Sequence, residues 1–95
     1  MYVHSLRHIA ISLSINFTAI DVANFALALE HLENNFYQTA LSKFPKEVFS
    51  EAGYPTWVRD RFEQIAQHEK THVEFFSSAL NAAGVKSTKA CEYQL

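Results

Sequence analysis

Gln67-His68-Glu69-Lys70-Thr71-His72 lies inside a long run of helical period. Placing successive residues 100° apart around a helix axis puts Val58, Phe62, Ile65, Ala66, Val73, Phe76, Leu80 and Ala83 on one arc. Glu69 falls at the middle of that arc and His72 near its edge. Asp60, Glu63, Gln67, Lys70, Glu74 and Asn81 fall on the other side. The helix therefore gives most of its charges to water, but directs one carboxylate and one imidazole toward its apolar partner. An ionised carboxylate buried without a partner costs several kcal/mol, about 3–5 where a buried pair is broken. A metal ion is one way to compensate it.

An earlier segment repeats the anomaly. From about Asp21, read as an N-cap with Ile20 before it, to about Leu41 the chain has strong helix formers and no Pro or Gly. Leu29, Leu32, Phe36 and Ala40, with Phe25, Ala26 and Tyr37, form a broad apolar face. Asn24, His31, Asn34, Asn35, Gln38 and Ser42 form the opposite, polar one. Glu30 and Glu33 fall within the apolar arc, one turn apart. Phe44-Pro45-Lys46 ends this helix, because proline removes a donor and restrains the residue before it. A short helical or turn segment from Lys46 to Ala52 is broken by Gly53. Pro55 suits the first turn of the next helix, which runs from about Thr56 to Ala83, with Gly84 at C′. The two long helices, roughly 30–40 Å each, pair antiparallel as a hairpin across this connection. Glu30, Glu33, Glu69 and His72 then point into its interior. Val85 to Leu95 reads as an extended tail.

These donors suit iron or manganese. Carboxylates chelate and neutralise a hard cation, and a neutral imidazole adds a nitrogen ligand. A helix carrying Glu at i and His at i+3 converges both on one ion. Two such motifs, with one Glu from each of two other helices, build a two-metal site inside a four-helix bundle. The plainer reading of Glu69 and His72 is a hydrogen-bonded buried pair, and that of Glu30 and Glu33 a solvent-accessible hairpin edge. Tyr37 reads as a core aromatic with its hydroxyl near the carboxylates, His68 as an interface residue, and His4, His8 and His31 as surface residues.

Leu29-Glu30-His31-Leu32-Glu33-Asn34-Asn35-Phe36-Tyr37 resembles the first-helix motif of ferritin-like proteins, and Ile65 to Val73 resembles their second. Cys91-Glu92-Tyr93 is similar to the segment after that second helix in fungal and bacterial ferritin-like proteins associated with stress response or desiccation. The resemblance covers roughly residues 20–95. It implies an all-α fold in which two long antiparallel helices make the N-terminal half of a four-helix bundle. It implies that Glu30 is the usual first-helix ligand, that Glu69 bridges, that His72 binds one ion of Fe or Mn, and that Glu33 is an extra ligand or orients one. The third and fourth helices of such a domain are not in this chain. Iron oxidation and storage, or oxygen-dependent oxidation, then require a homodimer or a missing C-terminal half. The rival expectations are a metal-free structural or stress-protective bundle and a truncated, inactive fragment.

Composition bounds the rest. The chain has 95 residues, 48% hydrophobic and 19% charged, which is globular rather than disordered. The net charge is −2 with no basic cluster, which gives no support to nucleic-acid binding. The single Cys91 excludes an intramolecular disulfide and a cysteine-based zinc site. No apolar run reaches the roughly 20 residues of a membrane span. Residues 1–19 show no clear period and are expected to be poorly ordered. Arg7, His4 and His8 precede the apolar run Ile9–Ile15, which loosely resembles a signal peptide. Ser12 and Ser14 interrupt the run, and Phe17 stands at −3 for cleavage after Ala19. These defects favour a cytoplasmic chain, whereas the family resemblance allows secretion. Asn16-Phe17-Thr18 is a glycosylation acceptor only in the secreted case.

Overall fold

The computed structural model describes residues 18–95 as three helices: α1 (Ala19–Lys43), α2 (Lys46–Glu51) and α3 (Thr56–Ala82). No strand occurs among the described residues, and the fold is all-α. The signal-like run Ile9–Ile15 and most of the glycosylation acceptor lie outside the described residues.

The start of α1 is one turn earlier than Asp21. Thr18 is the N-cap, with extended backbone, and Asp21 occupies the third helical position. From there the Asp21 carboxylate accepts the backbone N–H of Thr18 at 2.9 Å. Asp21 still satisfies an otherwise unpaired donor, but by reaching back, which is the second half of a capping box. At the other end Phe44 takes φ −120° and ψ 81°, out of the helical region that a following proline disfavours. Pro55 sits just ahead of α3, as its N-cap.

Both glycines terminate helices in the left-handed region. Gly53 has φ +86° after α2 and Gly84 has φ +74° after α3. At each, two crossed bonds close the last turn. Gly53 N–H reaches Ser50 O and Tyr54 N–H reaches Phe49 O; Gly84 N–H reaches Asn81 O and Val85 N–H reaches Leu80 O. This is the Schellman arrangement, and the Phe49–Tyr54 ring contact at 6.2 Å supplies its apolar clasp after α2.

α1 and α3 lie antiparallel. Along α1, Ala23, Leu27, Glu30, Asn34, Tyr37 and Leu41 recur every three or four residues and are buried or half-buried. On α3 the matching line includes Ala66, Glu69, Val73, Phe76 and Leu80. Among the described residues only Leu27, Ala66 and Leu80 form a buried core. A second line on α1, Val22, Phe25, Leu29, Leu32 and Phe36, has the same alternating spacing but is at least 40% exposed at every position. The broad apolar face expected from sequence is thus divided. Leu27, Tyr37 and Leu41 turn to α3, and Val22, Phe25, Leu29, Leu32 and Phe36 are left open.

The polar face of α1 differs from expectation too. Asn34 is half-buried, and its Oδ1 is buried without a hydrogen-bond partner. Asn24 and His31 hold the chain after α3. Thr88 donates both its backbone N–H and its hydroxyl to Asn24 Oδ1 at 2.9 Å, and His31 Nε2 lies 2.8 Å from Thr88 O. Lys43 reaches the carbonyl of Leu95. Residues 85–95 are therefore a strap laid along α1.

Arg59 ties the hairpin loop. It donates to the carbonyls of Leu41 and Phe44 in the last turn of α1, pairs with Glu63 at 3.2 Å, and lies 5.5 Å from the Phe49 ring centroid. Its side chain is only 12% exposed. Charge-assisted bonds to helix-terminal carbonyls are each worth about 1.5–3 kcal/mol. Arg59→Ala is expected to cost about 2 kcal/mol in urea unfolding, and Arg59→Lys to recover little of it, because an ammonium lacks the planar fork. An unchanged midpoint in Arg59→Ala would show these bonds to be incidental.

Candidate metal centre

Halfway along the hairpin the seam turns polar. Glu30 comes from α1, and Glu69 and His72 come from α3 at i and i+3, which share one helix side. Their ligand atoms all lie within 4.8 Å of one another. His72 Nδ1 is 3.4 Å from Glu30 Oε2 and 3.8 Å from Glu69 Oε2. The carboxylate side chains are 18% and 14% exposed, whereas that of His72 is 51% exposed. The carboxylates are thus sunk between the helices and the imidazole closes them from the open side.

Three of the four residues expected from sequence meet here. Glu33 stays outside the trio. A three-residue step turns it 60° off Glu30, away from the seam. It lines an open groove of about 410 Å³ with Leu32, Phe36, Tyr37 and Glu69.

The charges are not settled within the chain. Glu30 Oε2 and Glu69 Oε2 are both buried with no hydrogen-bond donor serving them. Glu69 is held above its ordinary carboxyl range, first by a hydrogen bond with the Glu30 carboxyl, then by burial, with Glu33 and His72 opposing. Glu33 is raised as well, first by a hydrogen bond with the Glu69 carboxyl, then by burial and the charge of Glu69. A carboxyl–carboxyl hydrogen bond needs a proton between the two groups. The cluster therefore calls for a positive partner, which is either that proton or a cation.

The proton alternative carries a sign. Folded carboxyls whose pKa lies above 4.5 keep protons that the unfolded chain has lost. In the metal-free fold these two groups then contribute most stability on the acid side. That contribution is lost as pH rises from about the unfolded value through the raised folded one. Glu33→Gln removes one such group and is expected to leave metal-free stability unchanged or higher near neutral pH, and to flatten this slope. A loss beyond about 2 kcal/mol would instead mark Glu33 as an ionised, paired carboxylate.

Sequence periodicity found the trio because each member breaks an apolar arc. It missed Asn34, because a polar residue on a polar arc carries no anomaly. It missed Arg59 and the Asn24–Thr88 contact, whose partners are 15 or more residues away in sequence.

Comparison with known proteins gives the family. A family described as a ferritin-like domain matches residues 18–95. Protein rds1 of Schizosaccharomyces pombe is 34% identical over 80 residues, covering 82% of this chain. The same match covers 19% of that relative, so the chain spans about a fifth of its length. With helix pairing and a family match over all the described residues, the chain belongs to the ferritin-like domain family.

Proposed function

We propose that this chain is a metal-binding ferritin-like helix pair that is completed by a second helix pair. The observation that carries the reading is the pair of buried carboxylate oxygens, on Glu30 and Glu69, with no donor to satisfy them. Two carboxylates and one imidazole within 4.8 Å form a donor set that suits Fe²⁺ or Mn²⁺ better than Mg²⁺, since the nitrogen favours a transition metal. Glu30 and Glu69 would hold the ion from the seam and His72 from the open side. When bound, such an ion supplies a redox-active centre. Glu33, outside the trio, lines the same groove as Glu69 and would orient that carboxylate.

Completion is the second part of the reading. The exposed line Val22, Phe25, Leu29, Leu32 and Phe36 flanks the side on which the groove at Glu33 and Glu69 opens. A second copy related by a twofold axis would cover that line and bring a further Glu30, Glu69 and His72 to the same interior. In longer relatives, chain beyond the matched segment could take that place. A ferroxidase-like or other oxidoreductase activity, and a part in stress response, belong to the completed protein.

Anaerobic Fe²⁺ loading followed by gel filtration, metal analysis and sedimentation tests the reading. Two ions per dimer are expected in wild type and none in Glu30→Ala. A monodisperse monomer without metal at micromolar concentration would sink it. A stable metal-free dimer would favour a structural bundle, with protons in place of the ion.

A further inference from the structure

The ring of His72 has two edges, and the seam uses one. Nδ1 faces Glu30 and Glu69. Nε2 lies on the far side of the five-membered ring, directed away from those carboxylates, and the side chain is half exposed. One turn earlier on α3 stands His68, also exposed. Residues i and i+4 on a helix are neighbours, with Cβ atoms about 5–6 Å apart. His68-Glu69-Lys70-Thr71-His72 has the spelling His-Glu-x-x-His, in which two histidines on one helix face bind zinc. Here Glu69 is turned into the seam behind His72, so the motif offers a binding pair and not a hydrolytic base.

We propose that His68 and His72 form a second metal site, on the side of the His72 ring away from the seam, that takes a Zn²⁺-class divalent ion through one ring nitrogen each, with Glu30 and Glu69 behind the His72 ring. A carboxylate on the other nitrogen is the usual support of a metal-bound histidine. With the ring proton on Nδ1, the edge toward those carboxylates, the Nε2 lone pair is left for the ion. Imidazole donors rank Zn²⁺, Cu²⁺ and Ni²⁺ above Mg²⁺ or Ca²⁺. The outward site does not depend on an ion between Glu30 and Glu69. It does interact with one. A neutral imidazole has a single lone pair in the ring plane. An ion held at Nδ1 moves the proton to Nε2 and removes His72 from the outward pair. Occupancy of the two sites is mutually exclusive at His72.

Calorimetric titration of the full chain with Zn²⁺ tests this, beside anaerobic Fe²⁺ melts of the same variants. His68→Ala is expected to weaken Zn²⁺ binding at least tenfold while leaving the Fe²⁺-dependent melting shift as in wild type. His68 is exposed and Ala favours helix, so circular dichroism should show the fold intact. His72→Ala is expected to lose both responses. In wild type, Zn²⁺ should reduce Fe²⁺ uptake, and in His68→Ala it should do so at least tenfold less effectively. Zn²⁺ affinity unchanged in His68→Ala overturns the proposal. Loss of both metal responses in His68→Ala also overturns it, since His68 would then belong to one common site. If wild type shows no Fe²⁺ response, the inner-ion reading fails and the Zn²⁺ arm still decides this one.

Discussion

Anaerobic Fe²⁺ is expected to raise the melting temperature of the wild-type chain progressively with metal concentration, by roughly 10–20 °C at a hundredfold excess over the dissociation constant. An ion that binds only the folded chain adds about 2.7 kcal/mol at that excess. A domain of this size gains about 4–8 °C per kcal/mol. The stabilisation acts where the fold is weakest, on two buried carboxylate oxygens that nothing in the chain satisfies. His72→Ala removes the only nitrogen of the trio and is expected to abolish the shift. Mg²⁺ is expected to give a smaller shift than Fe²⁺ or Mn²⁺. Glu74→Ala, on the exposed side of α3, is the control that should shift like wild type. Glu63 is a poorer control, because it pairs with the Arg59 that ties the loop. Equal shifts in every variant would mean surface chelation. No shift in wild type would mean that the chain alone is not a metalloprotein.

Leu27→Ala is expected to cost about 2–5 kcal/mol, enough to unfold much of the population at room temperature. Leu27 is the single large side chain with no exposure among the described residues, and only Ala66 and Leu80 are buried beside it in the core. Its deletion leaves a cavity bounded by helix backbone, where relaxation is limited. Small domains have total stabilities of only 5–15 kcal/mol, and one with so small a core stands at the low end. Leu29→Ala makes the contrast. Leu29 is 46% exposed on the open line of α1, so in a monomer its loss should cost about 1 kcal/mol or less. If a second copy covers that line, Leu29→Ala should weaken dimerisation while leaving monomer unfolding nearly unchanged. Comparable losses in the two variants, measured in dilute monomer, would contradict the division of α1 into a buried seam and an open line.

The helix pairing was legible because its signals are local. Proline and glycine punctuate the chain at Pro45, Gly53 and Gly84, and the apolar residues between them keep helical period. The trio was legible because Glu30 and Glu69 each contradict the arc on which they stand. Rotation was harder to read. With apolar residues around more than half of α1, the sequence does not say whether Leu29 and Phe36 or Leu27 and Tyr37 meet α3. Packing decides it: Leu27 and Tyr37 turn to α3, and Leu29 and Phe36 stay exposed. Asn24, His31 and Asn34 were assigned to water because helical period distinguishes polar from apolar and is silent about what a polar group binds. Two of them bind the strap. The start of α1 was missed by one turn because an aspartate that caps from N3 has the same composition as one that caps from its own position.

The polar stretch in the middle of the seam has a consequence for cooperativity. Toward the loop, Leu41, Tyr37, Phe62 and Phe49 make one apolar cluster, with the Tyr37–Phe62 and Phe49–Phe62 rings 6.5 and 6.1 Å apart. Toward the far end, Leu27, Val73, Phe76 and Leu80 are buried or half-buried. Glu30, Asn34 and Glu69 separate the two ends, with little contact energy to transmit from one to the other. Each end carries its own tether, Arg59 at the loop and Thr88 at the start of the strap. Local opening at one end of the hairpin is therefore expected to leave the other end in place. A cation gripped from both helices at the midpoint would couple the ends, so that amide protons at the two ends exchange through a common opening instead of through separate ones.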